Sequence, residues 1–347
     1  MKKTIIDNNL EIFNYLNPND NDILSNLNGY DLQDLLFALN GYYIEYRKYL
    51  GFDDNITFGM EIEAEKADKD EINIDLAKNK LSDRWKTTHD VSLNLGIEIV
   101  SPILYDRQND WNELFKVCKI VNQLATIDKN AGGHIHIGSQ ILEMNKEYFL
   151  NLIKIWSTYE NIIYRFLNGD HLIGRPEITK YASMMSNKFW KDYELFKKNN
   201  CSIEEIIVIL AKKRYQAINF ENIKNHNINE NFEKNTLEFR SPNGTLDPII
   251  WQNNLNMIVN LILYCKDINF NYDIIEKRHN KYLDKYDNLY WYNEIYIDQA
   301  LELIDLIFTN NLDKINFLRQ YLKSFEMCNS NNYKKSKKFT KNKIKTK

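Results

Sequence analysis

Polar and apolar residues alternate with period two in three short stretches of this chain. In Thr57–Glu65 (TFGMEIEAE), Glu61, Glu63 and Glu65 fall on one side and Met60, Ile62 and Ala64 on the other. In Gly132–Gly138 (GGHIHIG), His134 and His136 share one side, and Ile135 and Ile137 the other. In Thr236–Ser241 (TLEFRS), Glu238 and Arg240 fall together. Successive side chains of a strand point to opposite faces, so each stretch predicts a strand with an apolar core face and a charged second face. Side by side, the three would form one acidic, histidine-bearing sheet surface. Further strands are predicted in RWKTTHDVSL (84–93), GIEIVSPIL (96–104) and RYQAINFE (214–221).

Elsewhere the apolar period changes to three and four, the signature of helices. Asp31 precedes one such run (LQDLLFALNGYYIEYRKYL) as a candidate cap. A second helix is expected near Trp111–Ile127, with Trp111, Leu114, Phe115, Cys118, Val121 and Leu124 as its buried stripe. Asn145 can cap a long helix running through Leu167, and Ser202 with Glu205 forms a capping box for another. A helical run follows Asp247, and the remainder to about Met327 reads as two more helices. With no repeat and no linker, the pattern predicts an α+β fold: an antiparallel sheet flanked by helices. The expected organisation is a helical region over 1–50, a folded body over 51–327 and a disordered basic tail over 328–347. Within the body, residues 57–262 form the core and 263–327 a helical C-terminal part.

Composition sharpens this picture in three ways. The net charge is −3, but the segment from Asn329 contributes eight lysines and no acid, so the rest carries −11. An acidic body disfavours nucleic acid as a partner. No run reaches the roughly 18 apolar residues of a membrane span. The N-terminus meets acidic and amide residues too early for a secretory signal, and a cytoplasmic address without membrane contact is expected. Four scattered cysteines with no CxxC pair read as reduced core residues. Glycine is scarce, 11 residues, less than half the number that an average of about 7% implies. Six of the 11 (Gly59, Gly96, Gly132, Gly133, Gly138 and Gly244) flank the strand motifs, where tight turns or close backbone approach need them.

The charged faces then suggest chemistry. A row of carboxylates on one strand face suffers like-charge repulsion, which a cation or bare solvent removes. Two of the six histidines share one strand face, a metal-ligand spacing. Imidazole with carboxylates suits Mn²⁺, Zn²⁺ or Mg²⁺, and the excess of carboxylate favours the harder ions. Glu238 and Arg240 could form a plain salt bridge, or could hold a metal and contact a phosphoryl group respectively. His89, Asp90, Ser92 and Glu98 are further polar residues on the neighbouring stretches.

The order FGMEIE, HDVSL, GIEIVSP, GGHIHIG, RYQAINF, TLEFRSPNGTLD resembles the amidoligase family, distant relatives of glutamine synthetase and glutamate–cysteine ligase. The resemblance spans about residues 57–262. It implies a glutamine synthetase-like antiparallel sheet forming a concave metal and ATP site. The implied activity is ATP-dependent joining of a carboxylate to an amine (amino acid, peptide or protein) through an acyl phosphate, with Mg²⁺ or Mn²⁺. Carried over by motif, Glu61, Glu63, Glu98 and Glu238 become metal ligands. His134 or His136 becomes a ligand that also meets the phosphates, His134 the metal and His136 the nucleotide. Arg240 becomes the cation that stabilises the transferring phosphoryl group. Arg214 is expected at the ATP phosphates, as is Arg175, which lies ahead of Tyr181. Asn219 joins that set, although five residues from Arg214 on a regular strand it would face the other way. Asp90 or a glutamate is the candidate base. The alternatives are a metal-dependent hydrolase using the same His and Glu residues, or an inactive binding protein of the same fold. The motifs name neither substrate, nor the oligomeric state.

Overall fold

The computed structural model describes residues 44, 46–90, 93, 95–127, 131–168, 178–282 and 296–329. The expected N-terminal helix behind Asp31, residue Arg175 and the tail beyond Asn329 lie outside the described residues. The order of elements is β1 (Phe58–Ala64), α1 (Lys69–Lys78), β2 (Lys86–Asp90), β3 (Gly96–Val100), α2 (Gln108–Leu124) and β4 (Gly133–Gly138). Then come α3 (Lys146–Thr158), α4 (Glu160–Asn168), α5 (Ile178–Tyr181), α6 (Ser186–Asn199), α7 (Ile203–Leu210), β5 (Ile218–Asn219), α8 (Glu221–Ile228) and β6 (Thr236–Phe239). The chain continues with α9 (Pro248–Tyr264), α10 (Tyr272–Lys281), α11 (Ile297–Ile307) and α12 (Asn311–Asn329).

The six strands form one sheet in the order β2-β3-β1-β4-β6-β5, and every neighbouring pair is antiparallel. The fold is thus α+β, as the alternation predicts. One face is apolar and closed: Met60, Ile62, Ile97, Ile99, Ile135, Ile137, Leu237 and Phe239 are all buried. Helices cover it through large rings. Phe58 of β1 stacks on Trp111 of α2 at 5.2 Å, and Phe239 of β6 meets Trp156 of α3 at 5.4 Å. This burial leaves the charged side chains of β1, β4 and β6 on the other face, whereas on edge strand β2 Thr87 and His89 pair with Ile99 and Ile97 and lie on the apolar side, so His89 does not join them.

Helix starts follow the capping residues. Asn145 accepts from the Glu147 N–H, Ser202 and Glu205 form the reciprocal box, and Asp247 accepts from the Ile249 N–H with Pro248 as first helical residue. The long helix expected from Asn145 to Leu167 is instead two, broken at Tyr159. Both halves keep an apolar stripe, so the break leaves no mark in the periodicity. The predicted strand over 214–221 shrinks to Ile218–Asn219, and among the described residues three helices follow α9 where two were expected. No helix among the described residues is long and apolar enough to cross a membrane. Cys118, Cys201 and Cys265 are free thiols.

One glycine fixes how closely α9 approaches the sheet. A Cβ on Gly133 of β4 would lie 2.5 Å from the rim of the Trp251 ring and 3.3 Å from the Asn243 carbonyl. Trp251 is fully buried, and its indole N–H is tied to the Thr245 carbonyl at 2.9 Å, so it cannot swing aside freely. Gly133→Ala should therefore lower stability by about 1–3 kcal/mol, the range of an overpacked core. Urea unfolding checks this, and Trp251→Phe in the same chain should recover part of the loss, a coupling of at least ~0.5 kcal/mol. Strictly additive losses would show that the ring is not what Gly133 accommodates.

Candidate functional site

The polar face is built by register. Cα partners across β1 and β4 are Glu61 with His134 and Gly59 with His136; across β1 and β3, Glu63 with Glu98; across β4 and β6, His136 with Glu238; and across β5 and β6, Asn219 with Glu238. Paired residues share a face. Five candidate side chains, Glu61, Glu63, Glu98, His134 and Glu238, therefore meet over the middle of the sheet.

His134 sits at the centre. Its Nδ1 lies 2.9 Å from Glu61 Oε2 and 3.6 Å from Glu238 Oε1, while its Nε2 lies 3.4 Å from Glu63 Oε1. His136 Nε2 lies 3.0 Å from Glu61 Oε1, and its Nδ1 meets the Thr236 hydroxyl at 3.1 Å. Neither histidine Nε2 makes a hydrogen bond of acceptable alignment, and both atoms are buried. Glu63 accepts from the Gly132 backbone N–H. Glu98 accepts from the Thr88 hydroxyl at 3.2 Å.

Arg240 is fixed beside this group. It forms an ion pair with Glu238, donates from Nε to the Tyr181 carbonyl at 3.2 Å, and places its guanidinium 5.5 Å from the Tyr215 ring centre. Asn219 donates to the other Glu238 oxygen at 2.8 Å. The salt-bridge reading of Glu238 and Arg240 and the site reading thus coexist: one carboxylate joins both.

Electrostatics separate the carboxylates. Burial opposes ionisation of Glu61, but the hydrogen bond with His134 Nδ1 and the close approach of the His136 ring outweigh it and hold the carboxyl far below the usual carboxylate range. Burial of Glu238 is likewise outweighed, by the charges of His134 and Arg240, and its carboxyl is held low. Glu98 goes the other way, pushed up to about 7 by burial and then by the nearby Glu61 charge. Glu98 is thus the member of the cluster that most readily takes a proton.

These donors fit a divalent cation. Glu61, His134 and Glu238 can each offer an atom so that all three lie within 4.8 Å of one another, and so can Glu63, Glu98 and His134. Both imidazole Nε2 atoms face a carboxylate oxygen, at 3.4 and 3.0 Å, without an aligned hydrogen bond, an arrangement in which a cation could be shared between nitrogen and oxygen. A neutral imidazole has one free lone pair, so His134 can serve either set but not both at once. The second ion would rest on carboxylates, as hard cations do.

Beside the cluster opens a cleft of about 650 Å³, floored by Glu61, His136, Asn219 and Glu238. Arg214 also lines it. Arg214 and Asn219 reach the same space because residues 214–217 are not a regular strand, so the parity that would oppose them does not apply. Asp90 stands apart. It pairs with Gly96 on edge strand β2, on the same face but two strand spacings, about 10 Å, from β1. Glu65, expected to extend the acidic row, lies past the end of β1 in a bridge to Thr126, and Glu98 from the next strand is the third acid.

Gly132, one of the glycines expected at a close backbone approach, makes it with its N–H to Glu63. Other residues of this region were not singled out by the sequence. Thr88 has the right parity in the alternating stretch of β2, a signal that was legible. Lys234, whose Nζ lies 3.6 Å from Glu61 Oε1, and Glu221 and Asn222 of α8, which line the cleft, sit in an Asn- and Lys-rich stretch like many others in the chain.

No curated protein matches the sequence. Residues 45–262, well over half of the chain, match a family described as “Putative amidoligase enzyme”. That span holds all six strands, the five clustered side chains and Arg240, so the protein belongs to the amidoligase family.

Proposed function

We propose that the protein is an ATP-dependent carboxylate–amine ligase that works through an acyl phosphate, on a glutamine synthetase-like site. The observation that carries this reading is the convergence of four carboxylates and His134 on one sheet face with Arg240 locked alongside and a cleft opening onto them. A bare carboxylate is a poor acyl donor because its leaving group would be oxide. Transfer of the ATP γ-phosphoryl to a carboxylate oxygen releases ADP and turns that oxygen into a phosphate leaving group. The amine nitrogen then attacks the carbonyl carbon, the C–O bond to phosphate breaks, and a base takes the proton.

Phosphoryl transfer is mostly positioning and charge neutralisation. Glu61, His134 and Glu238 would hold one Mg²⁺ or Mn²⁺, and Glu63 and Glu98 a second. A bound cation supplies neutralisation of the phosphate oxygens. Arg240, already oriented by Glu238, the Tyr181 carbonyl and the Tyr215 ring, presents a planar fork to the transferring group. His136, Asn219 and Arg214 line the approach for the phosphate chain. The proton of the amine goes to a carboxylate; the remoteness of Asp90 favours a glutamate of the cleft.

Two measurements test this. Replacing Glu61 and Glu63 together by Gln keeps shape and removes two charges, so Mg²⁺- or Mn²⁺-dependent ATP binding should fall by at least ~10-fold while the thermal midpoint holds, judging from the cost of disturbing even outlying metal partners. Calorimetry that shows unchanged nucleotide affinity in the folded double variant removes these residues from the site.

Arg240→Lys retains charge but loses the fork. ATP binding should stay near wild type while hydroxamate formation, with hydroxylamine trapping the acyl phosphate from a panel of amino acids and peptides, drops by at least ~10²-fold. Near wild-type trapping in the variant would refute the role. Hydrolysis without ATP in the wild type would point to the metal-hydrolase alternative.

A further inference from the structure

Arg240 is held at both ends. Its backbone N–H donates to the Ala217 carbonyl at 2.9 Å, and its Nε donates to the Tyr181 carbonyl at 3.2 Å. The segments that carry these two acceptors are bonded to each other: the Ser183 N–H donates to the Tyr215 carbonyl at 2.8 Å, and the Ala217 N–H to the Ser183 carbonyl at 3.0 Å. Residues 181–183 and 215–217 thus close a ring of hydrogen bonds through the main chain and the side chain of Arg240. A shift of 181–183 is passed to the guanidinium through the Tyr181 carbonyl.

That segment is anchored by one face of α4. The Tyr164 hydroxyl donates to the Ala182 carbonyl at 2.5 Å. One turn earlier, Glu160 accepts from the backbone N–H groups of Met185 and Ser186 at 2.7 and 2.9 Å, and from the Ser186 hydroxyl. Both side chains are completely buried, and their spacing of four puts them together on the helix surface. A carboxylate taken fully out of water is costly unless it is hydrogen-bonded, and the N–H groups at the start of α6 meet that need. Packing alone does not call for two polar groups here, because apolar side chains of similar volume fill a core without the desolvation cost. Neither residue lines the cleft. What they fix is the backbone on which the Arg240 guanidinium rests.

We propose that Glu160 and Tyr164 are positioning residues for Arg240: from α4 they hold the Tyr181 carbonyl where it aims the guanidinium at the cluster. That this aim serves phosphoryl transfer rests on the ligase reading; the hold itself does not.

The hold is measured on the full chain labelled with ¹⁵N-arginine, as the rate at which the Arg240 Nε–H exchanges with water, its signal assigned by its loss in Arg240→Lys. Tyr164→Phe removes one hydroxyl and should speed this exchange by about 5-fold or more, the worth of one buried hydrogen bond. Tyr159→Phe is the comparison. Its hydroxyl belongs to an equally buried side chain but donates to Glu302 of α11 at 2.6 Å, outside the ring. Exchange at Arg240 should there stay within about 2-fold of wild type. With hydroxylamine as the trap, Tyr164→Phe should lower kcat by about 10-fold or more while the KM for ATP stays within about 2-fold, and Tyr159→Phe should change neither. Should Tyr164→Phe not fold, Ser186→Ala, which removes only the hydroxyl donor to Glu160, carries the same comparison. The proposal is overturned if exchange in the variant matches that in Tyr159→Phe, or if exchange quickens while kcat is unchanged. A wild type that forms no hydroxamate, with faster exchange in the variant, would sink the ligase reading and leave Glu160 and Tyr164 as the hold on Arg240.

Discussion

The register between β1 and β4 is the constraint on which the site depends. It sets Glu61 opposite His134, and every other member of the cluster is placed relative to that pair by its own antiparallel partner. A slip of one residue would turn Glu61, Glu63 and His134 into the helices and expose Met60, Ile62 and Ile135. The cost of exposing those buried apolar side chains is what holds the register. Hydrophobic burial on one face therefore enforces chemical convergence on the other, without either face contributing directly to its counterpart.

That arrangement tolerates charges that the sheet would otherwise expel. Four carboxylates over a few strand spacings repel one another, and the cluster manages them unequally. Glu61 draws on two histidines, Glu238 on an arginine and an amide, Glu63 on a backbone N–H, and Glu98 on a threonine hydroxyl. The weakest support goes to Glu98, which is the group with the raised pKa. Burial and the Glu61 charge oppose ionisation of Glu98, and a cation beside the two carboxylates would offset both effects.

Much of this was legible in the sequence, because period-two alternation sorts residues by face without any knowledge of tertiary contacts. It identified β1, β4 and β6 and the faces of Glu61, Glu63, His134, His136 and Glu238. What alternation does not encode is where a strand stops. Glu65 keeps the parity of Glu63 yet leaves the sheet, and Arg214 lacks the strand geometry that its surroundings suggest. Neighbour order is also invisible: Glu98 joins the cluster because β3 lies beside β1, and Asp90 stays away because β2 lies beyond β3. The cleft wall leaves no mark in the sequence for a compositional reason. Its asparagines are indistinguishable, in one sequence, from the many others in an Asn- and Lys-rich chain.

Glu238 has a consequence for how the centre would load. Its carboxylate is shared by Arg240, Asn219 and His134, so its negative charge is already divided before any ligand arrives. A cation that drew on this carboxylate would weaken its hold on the guanidinium, and a guanidinium so released would be turned from an internal counter-ion into a receptor for an external anion. Cation and phosphate would then be thermodynamically linked through one shared oxygen donor, each raising the affinity of the other. Such a centre would behave as a coincidence detector, with full charge complementarity reached only when both partners are present.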